Sequence, residues 1–420
     1  MYSMRSVLII AFLFLTMDSS CIGQKQSANQ SFESSGPISP AAERIDAYLP
    51  LLRGKSIAVF ANQTSMVGNS HLVDTLLKLG VNIKKIFSPE HGFRGTADAG
   101  EHVGNLVDKE TGIPIISLYG KNRKPTEEVL KDVDIILFDI QDVGVRFYTY
   151  ISSLQEMMEV AFVNHKPLLV LDRPNPNGFY VDGPVLNKRI KSFVGMQPVP
   201  VVYGMTIGEY GTMIAGEKWL SEDANKAYEQ FRNEKPTTDT PFHFLVIKCG
   251  NYTHKSRYAL PVRPSPNLPN MQSVYLYPSI CFFEGTVISL GRGTDKPFQQ
   301  FGNPLFPKDL YSFTPQSTEG AKNPPLLGQT CYGYDLSSID VLKEIGNQIQ
   351  LKWVIKAYQL YPDKDKFFLS NNYFNTLAGN DQLMQQIKEG KSETEIRKSW
   401  EKDLKEFKKV RAKYLLYKDF

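Results

Sequence analysis

An α/β fold is predicted here: a Rossmann-like, mostly parallel sheet with helices on both faces, followed by a smaller α+β C-terminal domain. Three features predict it. From residue 54 onward, short runs rich in Val, Ile and Leu alternate with helical stretches. Those runs are almost continuously apolar, as strands covered on both faces must be. Near 231–241 the composition turns polar, with Pro and Thr, and a domain boundary is expected there. With 420 residues, 42% hydrophobic and 22% charged, the chain can build a sizeable core without staples, which excludes disordered and collagen-like classes.

Residues 1–20 read as a secretory signal peptide, because Arg5 precedes an apolar run over 7–17 that ends in Ser19, Ser20 and Cys21. That run is too short to cross a bilayer core of about 30 Å as a helix. Cys21 stands where a lipoprotein signal carries its acylated Cys, although Asp18 occupies the position usual for Leu. The expectation is an exported protein, either periplasmic, an outer-membrane lipoprotein anchored at Cys21, or extracellular, with no membrane span. Residues 21–40, rich in Ser, Gln and Gly, predict a flexible leader.

The Rossmann-like domain is expected over 41–235. Within it, 56–60 predicts a strand, 72–79 a helix stopped by Gly80, and 81–87 a strand. Strands at 113–119, 133–140 and 167–171 then alternate with helices at 126–131 and 150–163. A further strand at 199–202 leads to a helix over 206–220, opened by a Thr206/Glu209 capping box. The remainder, 236–420, is expected to close a cleft over the first domain. Ser392 and Glu395 form a second capping box before a helix whose apolar positions Ile396, Trp400, Leu404, Phe407, Val410 and Tyr414 step by three or four. Its charges read as a solvated face.

Net charge is +4, and 388–420 alone carries eleven Lys or Arg against seven Asp or Glu. The rest is near neutral, so no nucleic-acid partner is expected. Cys249, Cys281 and Cys331 form no CxxC pair and read as small buried hydrophobes. No GxSxG elbow, P-loop or GxGxxG fingerprint occurs, which removes the sequence warrant for serine acyl transfer, nucleotide hydrolysis and dinucleotide binding.

In an open parallel sheet, ligands bind beyond the carboxyl ends of the strands. Three successive strands there run into Ser88-Pro-Glu-His-Gly-Phe-Arg-Gly95, Asp139-Ile-Gln-Asp-Val-Gly-Val-Arg-Phe-Tyr-Thr-Tyr150 and Asp172-Arg-Pro-Asn-Pro-Asn-Gly178. Carboxylates brought together in this way suit glycoside hydrolysis, in which a protonated acid donates to the leaving oxygen and a charged one supports the oxocarbenium-like centre. Glu90 is the candidate acid, with His91 or Arg94 orienting it or the substrate. Asp139 or Asp142 would be the charged partner. Arg146, Tyr148, Tyr150, Asp172 and Arg173 are candidate substrate-binding residues, because Arg forks onto carboxylates and Tyr stacks on sugar faces. Glu284 and Arg292, in Gly-punctuated loops, are expected to close the site from the opposite side.

These three motifs, with Phe283-Glu-Gly-Thr286, closely resemble the exo-acting β-N-acetylmuramidases of the NamZ type, from about residue 45 to the C terminus. The resemblance implies a Rossmann-like domain with a smaller partner and release of terminal N-acetylmuramic acid from the non-reducing end of peptidoglycan-derived sugars of the MurNAc-GlcNAc type, without a cofactor. It implies that Glu90 is the catalytic glutamate and leaves the second group open. An acetamido sugar can also supply its own carbonyl oxygen as nucleophile, with Asp139 or Asp142 orienting it. An Arg such as Arg146, Arg173 or Arg292 would select the lactyl carboxylate. Two alternatives belong to other classes. One is a metal-dependent amidase or esterase on wall fragments using Glu90, His91 and His102, although their spacing fits no HExxH helix and no metal ligand set is assigned. The other is a non-catalytic glycan-binding protein.

Overall fold

The computed structural model describes residues 36–89, 92–93, 106–237 and 240–420. The expected signal peptide, Cys21 and the expected leader up to residue 35 lie outside the described residues, as do Glu90, His91, Arg94 and His102.

Among the described residues, nine strands precede residue 250. They are β1 (Ser56–Ala61), the two-residue hairpin arms β2 (Met66–Val67) and β3 (Ser70–His71), β4 (Asn82–Ser88), β5 (Leu106–Val107), β6 (Pro114–Ser117), β7 (Ile135–Asp139), β8 (Leu168–Leu171) and β9 (Phe244–Ile247). Seven of them form one sheet in the order β5-β6-β4-β1-β7-β8-β9, parallel except for β5, which runs antiparallel to β6. Successive side chains of a strand point to opposite faces. Accordingly Ala58, Phe60, Ile136, Phe138, Leu168 and Val170 feed one core, whereas Ile57, Val59, Ile135, Leu137, Leu169 and Leu171 feed another. Phe60 stacks on Phe138 with ring centroids 4.8 Å apart, which locks β1 to β7. The second sheet is antiparallel, in the order β10-β12-β11, from β10 (Gln300–Asn303), β11 (Tyr311–Phe313) and β12 (Cys331–Asp335). Cys249, Cys281 and Cys331 are buried and free.

Three sequence expectations change. The parallel sheet runs beyond 235, because β9 pairs with β8 from Leu168↔Phe244 to Leu171↔Ile247. Residues 199–202 form no strand; Val202 makes only isolated bridges to Val145 and Asp182. Pro198 and Pro200 explain this, since each removes an N–H that a ladder would use. The body of the protein also begins ahead of residue 41. Ser39 and Gly250 exchange main-chain hydrogen bonds of 3.0 and 2.8 Å.

Both capping boxes form, at the starts of helices Ile207–Gly216 and Glu393–Ala412. The latter buries Ile396, Trp400, Leu404 and Phe407 in the core that also holds the sheet residues Phe60 and Phe138. Its charges are not all solvated. Arg411 is buried, and its Nε and Nη2 donate to the Gly204 carbonyl at 2.9 and 2.7 Å while Nη1 and Nη2 donate to Asp419 at 2.7 and 2.6 Å. Arg411→Ala strips a buried carbonyl of both donors and should destabilise the protein by about 2–4 kcal/mol in denaturant unfolding. A change below about 0.5 kcal/mol would show that this tie does not hold the C-terminal segment.

Candidate active site

The loop after β7 is built by internal polar contacts. Asp139, the last residue of β7, is fully buried and receives Arg173 in a forked pair, Nε to Oδ1 at 2.6 Å and Nη2 to Oδ2 at 2.7 Å. Arg173 Nη2 also donates to the Met66 carbonyl at 3.0 Å, so the pair ties together β7, the loop after β8 and the β2–β3 hairpin. Asp142 accepts the Gly144 N–H at 2.6 Å and the Tyr203 hydroxyl on the same oxygen, Oδ2. Burial, the largest effect, pushes its pKa up to about 7 against the pull of those hydrogen bonds. Gly144 has φ +76°, and a Cβ there would sit 2.2 Å from the Asn175 side chain. Only glycine serves at that turn.

Arg146 is the largest fully buried side chain. Its Nη1 donates to the carbonyls of Pro184 and Val199 at 2.8 and 2.9 Å, and its Nη2 to that of Leu377 at 2.7 Å. Burial lowers its pKa to about 9. Asp172 accepts the Tyr417 hydroxyl at 2.6 Å, the Thr206 hydroxyl at 2.7 Å and the Gly208 N–H at 2.8 Å, so it anchors the start of helix Ile207–Gly216. Burial pushes its pKa up to about 6.

These contacts correct five expectations. Asp139, Asp142 and Asp172 do end or follow neighbouring strands, but they turn inward, where desolvated carboxylates need donors. Arg146 gives both terminal nitrogens to carbonyls and Arg173 is forked onto Asp139, and neither lies in the wall of the cavity described next.

Beyond the same sheet edge lies a cavity of about 330 Å³. Four predicted residues meet in its wall: Tyr148, Tyr150, Glu284 and Arg292. The Tyr148 hydroxyl donates to the Pro264 carbonyl at 2.7 Å, Asn62 Nδ2 donates to the Tyr150 hydroxyl oxygen at 2.9 Å, and the two rings meet edge to face at 4.8 Å. Glu284 is the one carboxylate in the wall among the described residues. Arg292 donates to its Oε1 from Nε at 3.1 Å and from Nη2 at 2.5 Å, leaving Oε2 without a bond from that arginine.

Sequence reading missed Tyr119, Arg123 and Tyr373, and also Ser265 and Asn267 of the Pro-rich loop. Tyr119 and Arg123 follow β6, whose tip carries no acid and so drew no attention, though the strand-end rule covers it equally. Among the described residues, no group of three or more His, Cys, Asp or Glu could hold a metal ion. No helix there is long and apolar enough to cross a membrane.

If Asp139 and Asp142 are internal, their variants should fail in stability. Asp139→Asn leaves the Arg173 charge buried without its partner and should cost about 3–5 kcal/mol. Asp142 has a folded pKa above the ordinary carboxylate value, so it stabilises the protein when protonated, and that contribution is lost as pH rises through about 7. The wild type should therefore gain stability relative to Asp142→Asn on acidification from pH 8 to pH 5; parallel pH profiles for the two proteins would contradict this.

Comparison with known proteins agrees with this architecture. The model "Exo-beta-N-acetylmuramidase NamZ, N-terminal" matches residues 57–272, and its C-terminal counterpart matches 275–417. The peptidoglycan beta-N-acetylmuramidase NamZ of Bacillus subtilis (strain 168) is 38% identical over 408 residues, covering 89% of this chain and 90% of that protein. A crystal structure of a DUF1343 family protein from Bacteroides fragilis superposes with a TM-score of 0.81 at 45% identity, covering 92% of this chain and 100% of the other. A second DUF1343 protein from the same organism gives 0.73 at 27% identity, covering 91% and 99%. Matched along both halves by the family's models, this chain belongs to the NamZ family of exo-β-N-acetylmuramidases.

Proposed function

We propose that the protein is an exo-acting glycoside hydrolase that releases terminal N-acetylmuramic acid from the non-reducing end of peptidoglycan fragments. Within the family, the observation that carries this reading is the cavity at the carboxyl edge of the sheet, with tyrosines and one arginine-braced carboxylate in its wall. Its volume, about 330 Å³, lies at the small end of ligand sites, which span roughly 300–1,000 Å³. A small recess that takes in one chain-end sugar suits exo action better than a long open groove. Tyr148 and Tyr150, both buried and with their hydroxyls held by Pro264 and Asn62, form a fixed floor beneath that sugar.

Glu90 is the proposed general acid. It follows the end of β4 by two residues, and β4 lies in the sheet between β6 and β1. The loop after β6 supplies Tyr119 and Arg123 to the wall, and Asn62, just after β1, holds Tyr150. β4 therefore ends at this same edge, and that supports Glu90, two residues farther along the sequence, as the donor of a proton to the leaving oxygen. Glu284, braced by Arg292, is the proposed charged partner for the oxocarbenium-like centre, in place of Asp139 or Asp142. The substrate's acetamido oxygen would serve as nucleophile where no carboxylate attacks directly. Export, with Cys21 as a lipid anchor, would place the enzyme where wall fragments arise.

Release of N-acetylmuramic acid from a chromogenic β-N-acetylmuramide, and from MurNAc-GlcNAc, tests the reading. Glu90→Gln and Glu284→Gln should each lower kcat by roughly 10²-fold or more while remaining folded. Full activity in Glu90→Gln would remove that residue from the mechanism. A disaccharide that binds and stays intact would mark a binding protein, and activity abolished by chelation would favour metal-dependent chemistry.

A further inference from the structure

The geometry points to Arg123 as the residue that recognises the lactyl carboxylate of N-acetylmuramic acid, an inference that rests on the muramidase reading above. That sugar differs from N-acetylglucosamine by an ether-linked lactyl group, so selection between them requires a cation that is unspent in the free enzyme and lies within the sugar-binding recess.

Among the described residues, the arginines near the sheet edge divide sharply on this criterion. Arg146 is buried against three main-chain carbonyls, and Arg173 is forked onto Asp139. Arg292 lines the cavity, but its Nε and Nη2 both donate to Glu284 Oε1, so an anion arriving there would meet a cation already paired with a carboxylate. Arg123 also lines the cavity, and it forms no ion pair among the described residues. The neighbouring Lys124 instead takes the nearby carboxylates, Glu156 at 2.8 Å and Glu159 at 2.7 Å.

Arg123 is also held in place. Its guanidinium carbon lies 4.0 Å from the centroid of the Phe193 ring, which itself lines the cavity. That ring is fixed in turn: the Ser152 hydroxyl, on helix Tyr150–Val163, donates to the Phe193 carbonyl at 2.7 Å, and Ser192 and Gly195 close a tight turn around it with mutual bonds of 3.0 and 3.1 Å. A guanidinium over an aromatic face keeps its in-plane N–H groups for a forked carboxylate while the ring limits its rotation. An arginine that is half in solvent without such a platform would lose more side-chain freedom on binding.

The test compares two chromogenic β-N-acetylmuramides, one with the free lactyl acid and one with the lactyl group as a neutral carboxamide, on wild type, Arg123→Gln and Arg123→Lys. For the free acid, Arg123→Gln should lose roughly tenfold or more in kcat/KM, mainly through KM, with Arg123→Lys recovering part of the loss. For the carboxamide, all three proteins should agree within about twofold. Raising the salt concentration should raise the wild-type KM for the free acid and leave that of Arg123→Gln nearly flat. Equal losses on both substrates, or no loss on either, would overturn the assignment while leaving the muramidase reading intact. A wild type that cleaves neither substrate would overturn the muramidase reading and this inference with it.

Discussion

The buried ion pair between Asp139 and Arg173 is the constraint from which the rest of the site follows. β7 ends in a carboxylate beneath packed loops, and a desolvated charge there is tolerable only with a matched cation and good hydrogen bonds. Arg173 supplies both, from the loop after β8, and also reaches the Met66 carbonyl. Asp142 under Tyr203, Asp172 under Tyr417 and Arg146 among three carbonyls have hydrogen bonds but no counter-ion, and burial accordingly shifts all three toward their neutral forms. Polar residues that look like chemistry in the sequence thus stitch the strand ends together.

This stitching has a mechanical consequence. The stretch from Asp139 to Tyr150 is pinned at Asp142, Gly144 and Arg146 before it reaches Tyr148 and Tyr150. The tyrosines are therefore held by backbone, with their hydroxyls fixed by Pro264 and Asn62. A recess whose wall is set before substrate arrives need not be ordered during binding, and dipoles fixed in advance stabilise developing charge best. The acids buried beneath the site, Asp139, Asp142 and Asp172, thus lie apart from the acid in its wall, Glu284.

The sequence made the sheet legible because its strands are nearly uniform in Val, Ile and Leu and its helices carry capping boxes; both signals are local. β9 escaped because four apolar residues after a polar linker say nothing about their partner, which is 76 residues earlier in the pairing of Leu168 with Phe244. Residues 199–202 misled because apolar content outweighed the two prolines that deny the ladder its donors. Tyr148, Tyr150, Glu284 and Arg292, all singled out in the sequence, do meet in the cavity wall. Arg123 was not singled out, because its significance lies in the absence of a carboxylate partner among the described residues and in a ring 70 positions away, Phe193. The inward turn of Asp139, Asp142 and Asp172 was equally hidden, since residue type does not reveal which way a side chain at a strand end will face.

The central claim is that sugar is handled in the tyrosine-lined cavity and not at the carboxylates of the β7 and β8 strand ends. A crystal structure of the Glu90→Gln variant soaked with MurNAc-GlcNAc would address it most directly. The terminal muramyl ring should lie inside the cavity, against Tyr148 and within reach of Glu284, with the Asp139–Arg173 pair undisturbed. Density for the sugar on Asp142 or Arg146, with Tyr203 or the main-chain carbonyls displaced, would contradict the claim.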